Sequence, residues 1–403
     1  MTAGSEEAVS QAAEPHAATR RKVDSALVSL IAATAAIGLA EAFTITSLSL
    51  FLSNAVRAAP LMIGLFFAGR AIAEIIADLG LGVISDRMSD RRKLLAICAA
   101  ISAVGALSYM FLRNYYLLFL ASSILFGIGG LTFSQLFAYT REFAERRGHG
   151  VAFFNSALRS VTSAAWILGP PLGFFVLSTQ SFTMLYGICV LLYLSAAALC
   201  RWGLPNAAKL SDSTAGFREA FRLINRRLAL LLGAIVLLVI TNLAYQINIA
   251  LFITKSLGLP TAFPGVVIAV ASTLEVGLML LFGAIANRVG KWRLVVLATV
   301  CATVFFWAMP FAKTPLALLL LQIPNAAWTA VVLSLPVVIL QDNLPGRPGA
   351  ASAVYAASYK SGSFLAGTVA GVAVAVAGFT NLWWVCGALT LTATVLLLLG
   401  ARK

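Results

Sequence analysis

Long apolar runs recur along the whole chain, separated by short polar stretches. A helix that crosses the hydrocarbon core of a bilayer needs about 20 apolar residues. Runs of that length fall at 25–53, 61–84, 94–112, 115–139, 151–177, 181–202, 228–254, 262–286, 294–312, 315–340, 350–378 and 380–401. They are continuous rather than alternating, and too long for barrel strands. Because lipid offers no partner to a free backbone amide, helices are the predicted element. The expectation is an all-α membrane protein of about twelve transmembrane helices.

Composition strengthens this picture. Hydrophobic residues make up 60% of the 403 and charged ones 11%, against about 25% charged in a soluble domain. That excludes a soluble enzyme or a nucleic-acid binder and makes the lipid bilayer the first partner. The formal charge of +14 follows from topology. Of 29 Lys and Arg residues, 22 lie in the tails and in one set of loops, 4 lie in the opposite set, and Arg70, Arg159 and Lys360 lie inside runs. Positive charge collects on the cytoplasmic side, so both ends are expected in the cytoplasm. The longest polar stretch between runs splits them six and six. The expected organisation is a tail at 1–22, a bundle at 23–203, a cytoplasmic linker at 204–227 and a second bundle at 228–403. Five cysteines, an odd number without metal-type spacing, read as buried small residues. His16 and His149, the only histidines, sit in polar segments, so no metal or histidine-based catalytic centre is expected. No Gly-x₄-Gly-Lys-Ser/Thr nucleotide loop occurs, and no cofactor is expected.

The two halves align at a constant shift of 201 residues. Gly82, Arg87 and Arg92 become Gly283, Arg288 and Arg293; Gly64 becomes Gly265; Glu74 becomes Glu275; Arg159 becomes Lys360. Two parallel six-helix repeats related by an axis along the membrane normal place a solute site at mid-depth between them.

The loop after the second run reads Gly82-Val-Ile-Ser-Asp86-Arg87-Met-Ser-Asp-Arg91-Arg92-Lys. It resembles the signature loop of the major facilitator superfamily, with Ser89 where that family has glycine. The resemblance implies a gating latch built on Gly82, Asp86, Arg87, Arg91 and Arg92, with Arg141 in the matching loop. Gly169-Pro170-Pro171-Leu172-Gly173 resembles the exporter motif of the same superfamily. A narrower resemblance, to the bacterial sugar efflux transporters, runs through Gln135, Arg141-Glu142, Leu158-Arg159 and Ala165-Trp166. It continues through Asn242-x-x-Tyr245-x-x-Asn248, Leu274-Glu275, Gln322-x-x-Asn325 and Tyr355. This implies a monomeric transporter of the bacterial inner membrane that exports sugars or glycosides in exchange for protons. A multidrug exporter of the same fold is the alternative, kept open by the intramembrane acids.

Charges at membrane depth are costly and face a partner or a wet cavity. Arg70 and Glu74, four residues apart, can pair along one helix face. Asp78 reads as a packing or latch residue. Glu275 has no basic neighbour in sequence, so it is a candidate for carrying a proton, for bonding solute, or for pairing with Lys360 or Arg159. Glu41 competes for the proton. For solute, Asn and Gln offer both donors and acceptors to hydroxyls, and aromatic rings offer flat faces to a sugar. The candidates are Gln135, Asn242, Tyr245, Asn248, Gln322, Asn325, Tyr355 and Tyr359, with Trp166 and Trp328 as platforms. The bland alternative for each is hydrogen-bonded glue between helices.

Overall fold

A computed structural model of the chain describes residues 4–85, 90–146, 151–205, 224–344 and 348–401. Among these the regular elements are helical. We number the membrane helices α1 (Gly4–Asn54), α2 (Pro60–Ser85), α3 (Arg91–Phe111), α4 (Tyr115–Gly129 with Leu131–Arg146), α5 (Val151–Thr179) and α6 (Phe182–Ala198). The second half holds α7 (Arg226–Leu251), α8 (Phe263–Val289), α9 (Lys291–Ala308) and α10 (Pro315–Leu320, Gln322–Val332 and Leu335–Asn343). A π-helical turn, Leu199–Gly203, ends α6. The last helical stretch, Pro348–Ala401, is broken at Gly378, whose φ of 79° lies in the left-handed region. That conformation costs glycine little, and it divides the stretch into α11 (348–377) and α12 (379–401).

Among the described residues, eleven stretches have the length and apolarity to cross a bilayer. The last of them, 52 residues long, contains both α11 and α12, so the count is twelve, as the apolar runs predict. Helix starts carry the expected caps: Asn114, Ser181, Asn225 and Thr314 each accept a backbone N–H of the first turn, satisfying donors that the helix leaves free.

The helices form two six-helix repeats, each with its own aromatic core. In the first, Phe51, Tyr109, Tyr186 and Phe126 pack together. In the second, Tyr245, Phe305, Phe306 and Trp383 do so. Ile247, Ala250 and Leu251 of α7 join the first core, so α7 straddles the boundary.

Two further seams cross that boundary, α2 against α11 and α5 against α8. Both depend on glycine. A side-chain carbon on Gly64 would stand 2.6 Å from Gly371 Cα, and one on Gly265 would stand 2.8 Å from Pro171 Cα. The shift of 201 that relates Gly64 to Gly265 in sequence therefore relates two backbone-to-backbone contacts in space. Small residues are what allow such an approach. The exporter-like motif forms part of the second seam. Pro170 and Pro171 face Gly265, while Gly169 and Gly173 pack on Ala42 and Phe43 of α1.

Candidate functional site

A cavity of about 520 Å³ lies between the repeats. From the first repeat it is lined by Thr46 of α1, by Phe67, Arg70 and Glu74 of α2, and by Thr162, Ser163 and Trp166 of α5. From the second come Asn242, Tyr245 and Gln246 of α7, Ser272 and Glu275 of α8, Asn325 and Thr329 of α10, and Tyr359 and Ser363 of α11. Glu74 and Glu275, related by the repeat, thus meet at one cavity from opposite halves.

Their surroundings differ. Arg70 Nε donates to Glu74 Oε1 at 3.0 Å, and the guanidinium lies 4.5 Å from the Phe126 ring centroid. The carboxylate of Glu74 is therefore matched by its own helix, as the four-residue spacing predicts. Glu41 sits within electrostatic reach of this pair but outside the cavity lining. Glu275 accepts a hydrogen bond from Thr329 Oγ1 at 2.9 Å, and among the described residues no ion pair reaches it. The wall opposite is neutral and polar. Gln246 Nε2 donates to Asn242 Oδ1 at 2.8 Å.

Behind this wall a hydrogen-bond chain ties α7 to α10. Tyr245 Oη and Asn325 Nδ2 both donate to Gln322 Oε1, at 3.0 and 2.8 Å. Trp328 Nε1 donates to Asn325 Oδ1 at 3.0 Å, and Gln322 Nε2 to the Leu318 carbonyl at 2.8 Å. A satisfied buried network of this kind holds its members in fixed rotamers. It presents the edges of Tyr245 and Asn325 to the cavity and keeps Gln322 fully buried behind them.

Several sequence candidates fall elsewhere. Asn248 bonds the Ala244 carbonyl at 3.0 Å and is not on the cavity wall. At 100° per residue it stands 120° around the helix from Asn242, whereas Gln246, which the sequence reading passed over, stands only 40° away. Trp328 is buried in the second core against Phe306, so it is not a platform. Tyr355 packs on Tyr359 outside the lining, and Arg159 is exposed outside it.

Lys360 pairs with Asp78, joining α11 to α2 across the boundary. This replaces the expected possibilities that Lys360 pairs with Glu275 or stands as a central charge. Gln135 is engaged well away from the cavity, accepting from Arg91 Nη1 at 2.7 Å. Arg91 Nε donates at 2.7 Å to Glu142, and both side chains are about 8% exposed. Arg92 grips Asp90 with two bonds of 3.0 Å and reaches the Leu204 carbonyl. Its guanidinium holds the Asp90 carboxyl below the usual carboxylate range. Gly82 falls near the end of α2, while Asp86, Arg87 and the Arg141 side chain lie outside the described residues.

Thr329 and Gln246 are cavity residues that sequence reasoning missed. The signal was present in each case: each lies four residues after a candidate asparagine, on the same helix face.

Residues 30–323 match the family model described as Major Facilitator Superfamily. The chain is 33% identical over 371 residues to sugar efflux transporter B of Salmonella typhimurium, covering 92% of this chain and 94% of that protein. It is 33% identical to sugar efflux transporter A of Escherichia coli, covering 89% and 92%. The crystal structure of the nucleoside transporter NupG superposes with a TM-score of 0.81 at 15% identity, covering 94% of this chain and 99% of that one. An inward-facing bacterial homologue of the iron transporter ferroportin gives 0.72 at 12% identity, covering 94% and 99%. These two likenesses concern the fold alone.

Proposed function

Because the chain belongs to the Major Facilitator Superfamily, and within it to the sugar efflux transporters, we propose that it exports sugars or sugar-like solutes by proton antiport. The observation that carries this reading is the cavity between the repeats. It sets neutral amide groups and a tryptophan around one carboxylate that has no basic partner among the described residues. The amides Asn242, Gln246 and Asn325 bond hydroxyls, Trp166 and Tyr359 offer ring faces, and Glu275 takes up and releases the proton. Tyr245 and Gln322 act through the network that positions Asn325.

Solute and proton reach the cavity from one side at a time as the two repeats, 23–203 and 228–403, rock about the glycine seams, with 204–227 as the tether. Asp78 and Lys360 hold α2 to α11 in one of the two arrangements. The charge count supports both termini in the cytoplasm, and the bacterial sources of the relatives support an inner-membrane location.

The test is counterflow in proteoliposomes with a panel of labelled sugars, glycosides and cationic dyes, run with and without a pH gradient. Sugar exchange that becomes accumulation when the gradient is imposed supports the reading. Movement of dyes but not sugars sinks the sugar assignment, and sugar movement indifferent to the gradient sinks the antiport.

A further inference from the structure

A second concave feature lies on the outer wall of the first repeat, away from the cavity. It is a groove of about 500 Å³ between the start of α3 and the end of α6. Its floor is made of small residues, Ala96, Ala100, Ala197 and Ala198, bordered by Ile97 and Leu194. Those two borders are about half exposed, as side chains facing acyl chains are. At one end the groove is closed by Lys93, Arg201 and Trp202.

The disposition of charge at that end separates this groove from an ordinary lipid-facing wall. Three consecutive basic residues open α3. Arg91 is consumed by Glu142 and Gln135, and Arg92 by Asp90 and the Leu204 carbonyl. The side chain of Lys93, the third, makes no ion pair or hydrogen bond with another described residue, and it is exposed. Arg201 comes to the same mouth from α6, on the π-helical turn Leu199–Gly203, likewise exposed and without an ion pair among the described residues. Trp202 beside it is 80% exposed, and an indole favours the depth of the headgroups. Two cations outside any ion pair among the described residues and an interfacial aromatic ring thus stand above an apolar trough, at the membrane face to which the charge count assigns the cytoplasm.

We infer that this groove binds an anionic diacyl phospholipid of the cytoplasmic leaflet, its phosphate between Lys93 and Arg201 and one acyl chain along the alanine floor. Basic pockets between membrane helices favour such headgroups. The bound lipid would brace α3 against α6 at the end where Arg92 and Tyr139 hold the carbonyls of Leu204 and Pro205, the point at which the chain leaves the first repeat. The inference depends on the membrane-spanning reading and not on which solute is carried.

The experiment reads Trp202 fluorescence, as wild type minus Trp202→Phe, in nanodiscs of phosphatidylcholine doped with acyl-brominated phosphatidylglycerol or acyl-brominated phosphatidylcholine. Bromine quenches an indole only at contact. Quenching by the phosphatidylglycerol probe is expected at much lower mole fraction than by the phosphatidylcholine probe. Removing Lys93 or Arg201, each to Ala, should weaken that preference about fivefold per cation. Lys93→Arg should retain it, which separates loss of charge from misfolding. Equal quenching by the two probes, or a preference unchanged in the Lys93→Ala/Arg201→Ala variant, overturns the inference. So does absence of quenching by either probe, the result expected if the chain's own linker covers the groove.

Discussion

Breaking the Asp78–Lys360 pair perturbs the link between the repeats without touching the cavity wall. Both side chains are about one third exposed, 33% and 39%, so the pair falls between two regimes. A solvated ion pair contributes about 0.2–1 kcal/mol, and removing one member of a fully buried pair costs about 3–5 kcal/mol. After discounting for solvent screening, about 1–2 kcal/mol is the expected coupling. That corresponds to roughly a 5- to 30-fold change in the balance between the arrangement in which α2 and α11 are joined and the one in which they part. The assay is pulsed electron-spin distance measurement between labels on those two helices, made on wild type, Asp78→Ala, Lys360→Ala, the double variant and the swapped Asp78→Lys/Lys360→Asp. Each single variant should shift population toward the longer distance, the double variant should shift it no further, and the swap should restore much of the wild-type distribution. Additive shifts, or a swap as impaired as the single variants, would refute the reasoning, because the two charges would then act independently.

Other consequences follow from the same geometry. Gly265→Ala places a carbon against the backbone of Pro170 and Pro171, where nothing flexible can yield. Transport should fall at least several-fold, while Gly277→Ala, with open space around it, should transport normally; equal rates for the two would dissociate the seam from the transport cycle. Gln246→Ala and Asn242→Ala each remove one neutral hydrogen-bonding group from the wall, worth about 1 kcal/mol. Solute affinity measured by counterflow inhibition should therefore weaken about fivefold in each, and unchanged affinity would take that residue off the site. Asp90 is held ionised by Arg92, so its contribution is present above the ordinary aspartate value of about 3.9 and fades as pH falls through its lower folded value. In detergent, Asp90→Asn should melt below wild type at pH 7, and the gap should shrink below about pH 4. A gap that persists undiminished at pH 3 would show that the charge is not what matters.

The spans were legible because hydrocarbon imposes one requirement, a long apolar helix, and each of the twelve meets it locally. The Arg70–Glu74 pair was legible for the same reason, since a four-residue spacing is a statement about one helix. What escaped was what joins different helices. Asp78 and Lys360 are 282 positions apart, and nothing local distinguishes Lys360 from a central charge until α2 and α11 are seen side by side. Asn248 follows Asn242 and Tyr245 at three-residue spacing, but such spacing drifts 60° per step around a helix and leaves the cavity face after Tyr245. Gln135 reads as a membrane-depth polar residue until Arg91 is found against it. The repeat was the strongest long-range signal, because a shift seen in sequence reappears in the paired seams at Gly64 and Gly265 and in the two glutamates at one cavity.

The claim on which the transport account turns is that Glu275 carries the proton. Glu275→Gln preserves the side chain's shape and its capacity to bond Thr329, and it abolishes titration. In sugar-loaded proteoliposomes the account predicts that this variant still exchanges labelled for unlabelled sugar, yet builds no sugar gradient when a pH gradient is imposed. Gradient-driven accumulation at the wild-type level would contradict it.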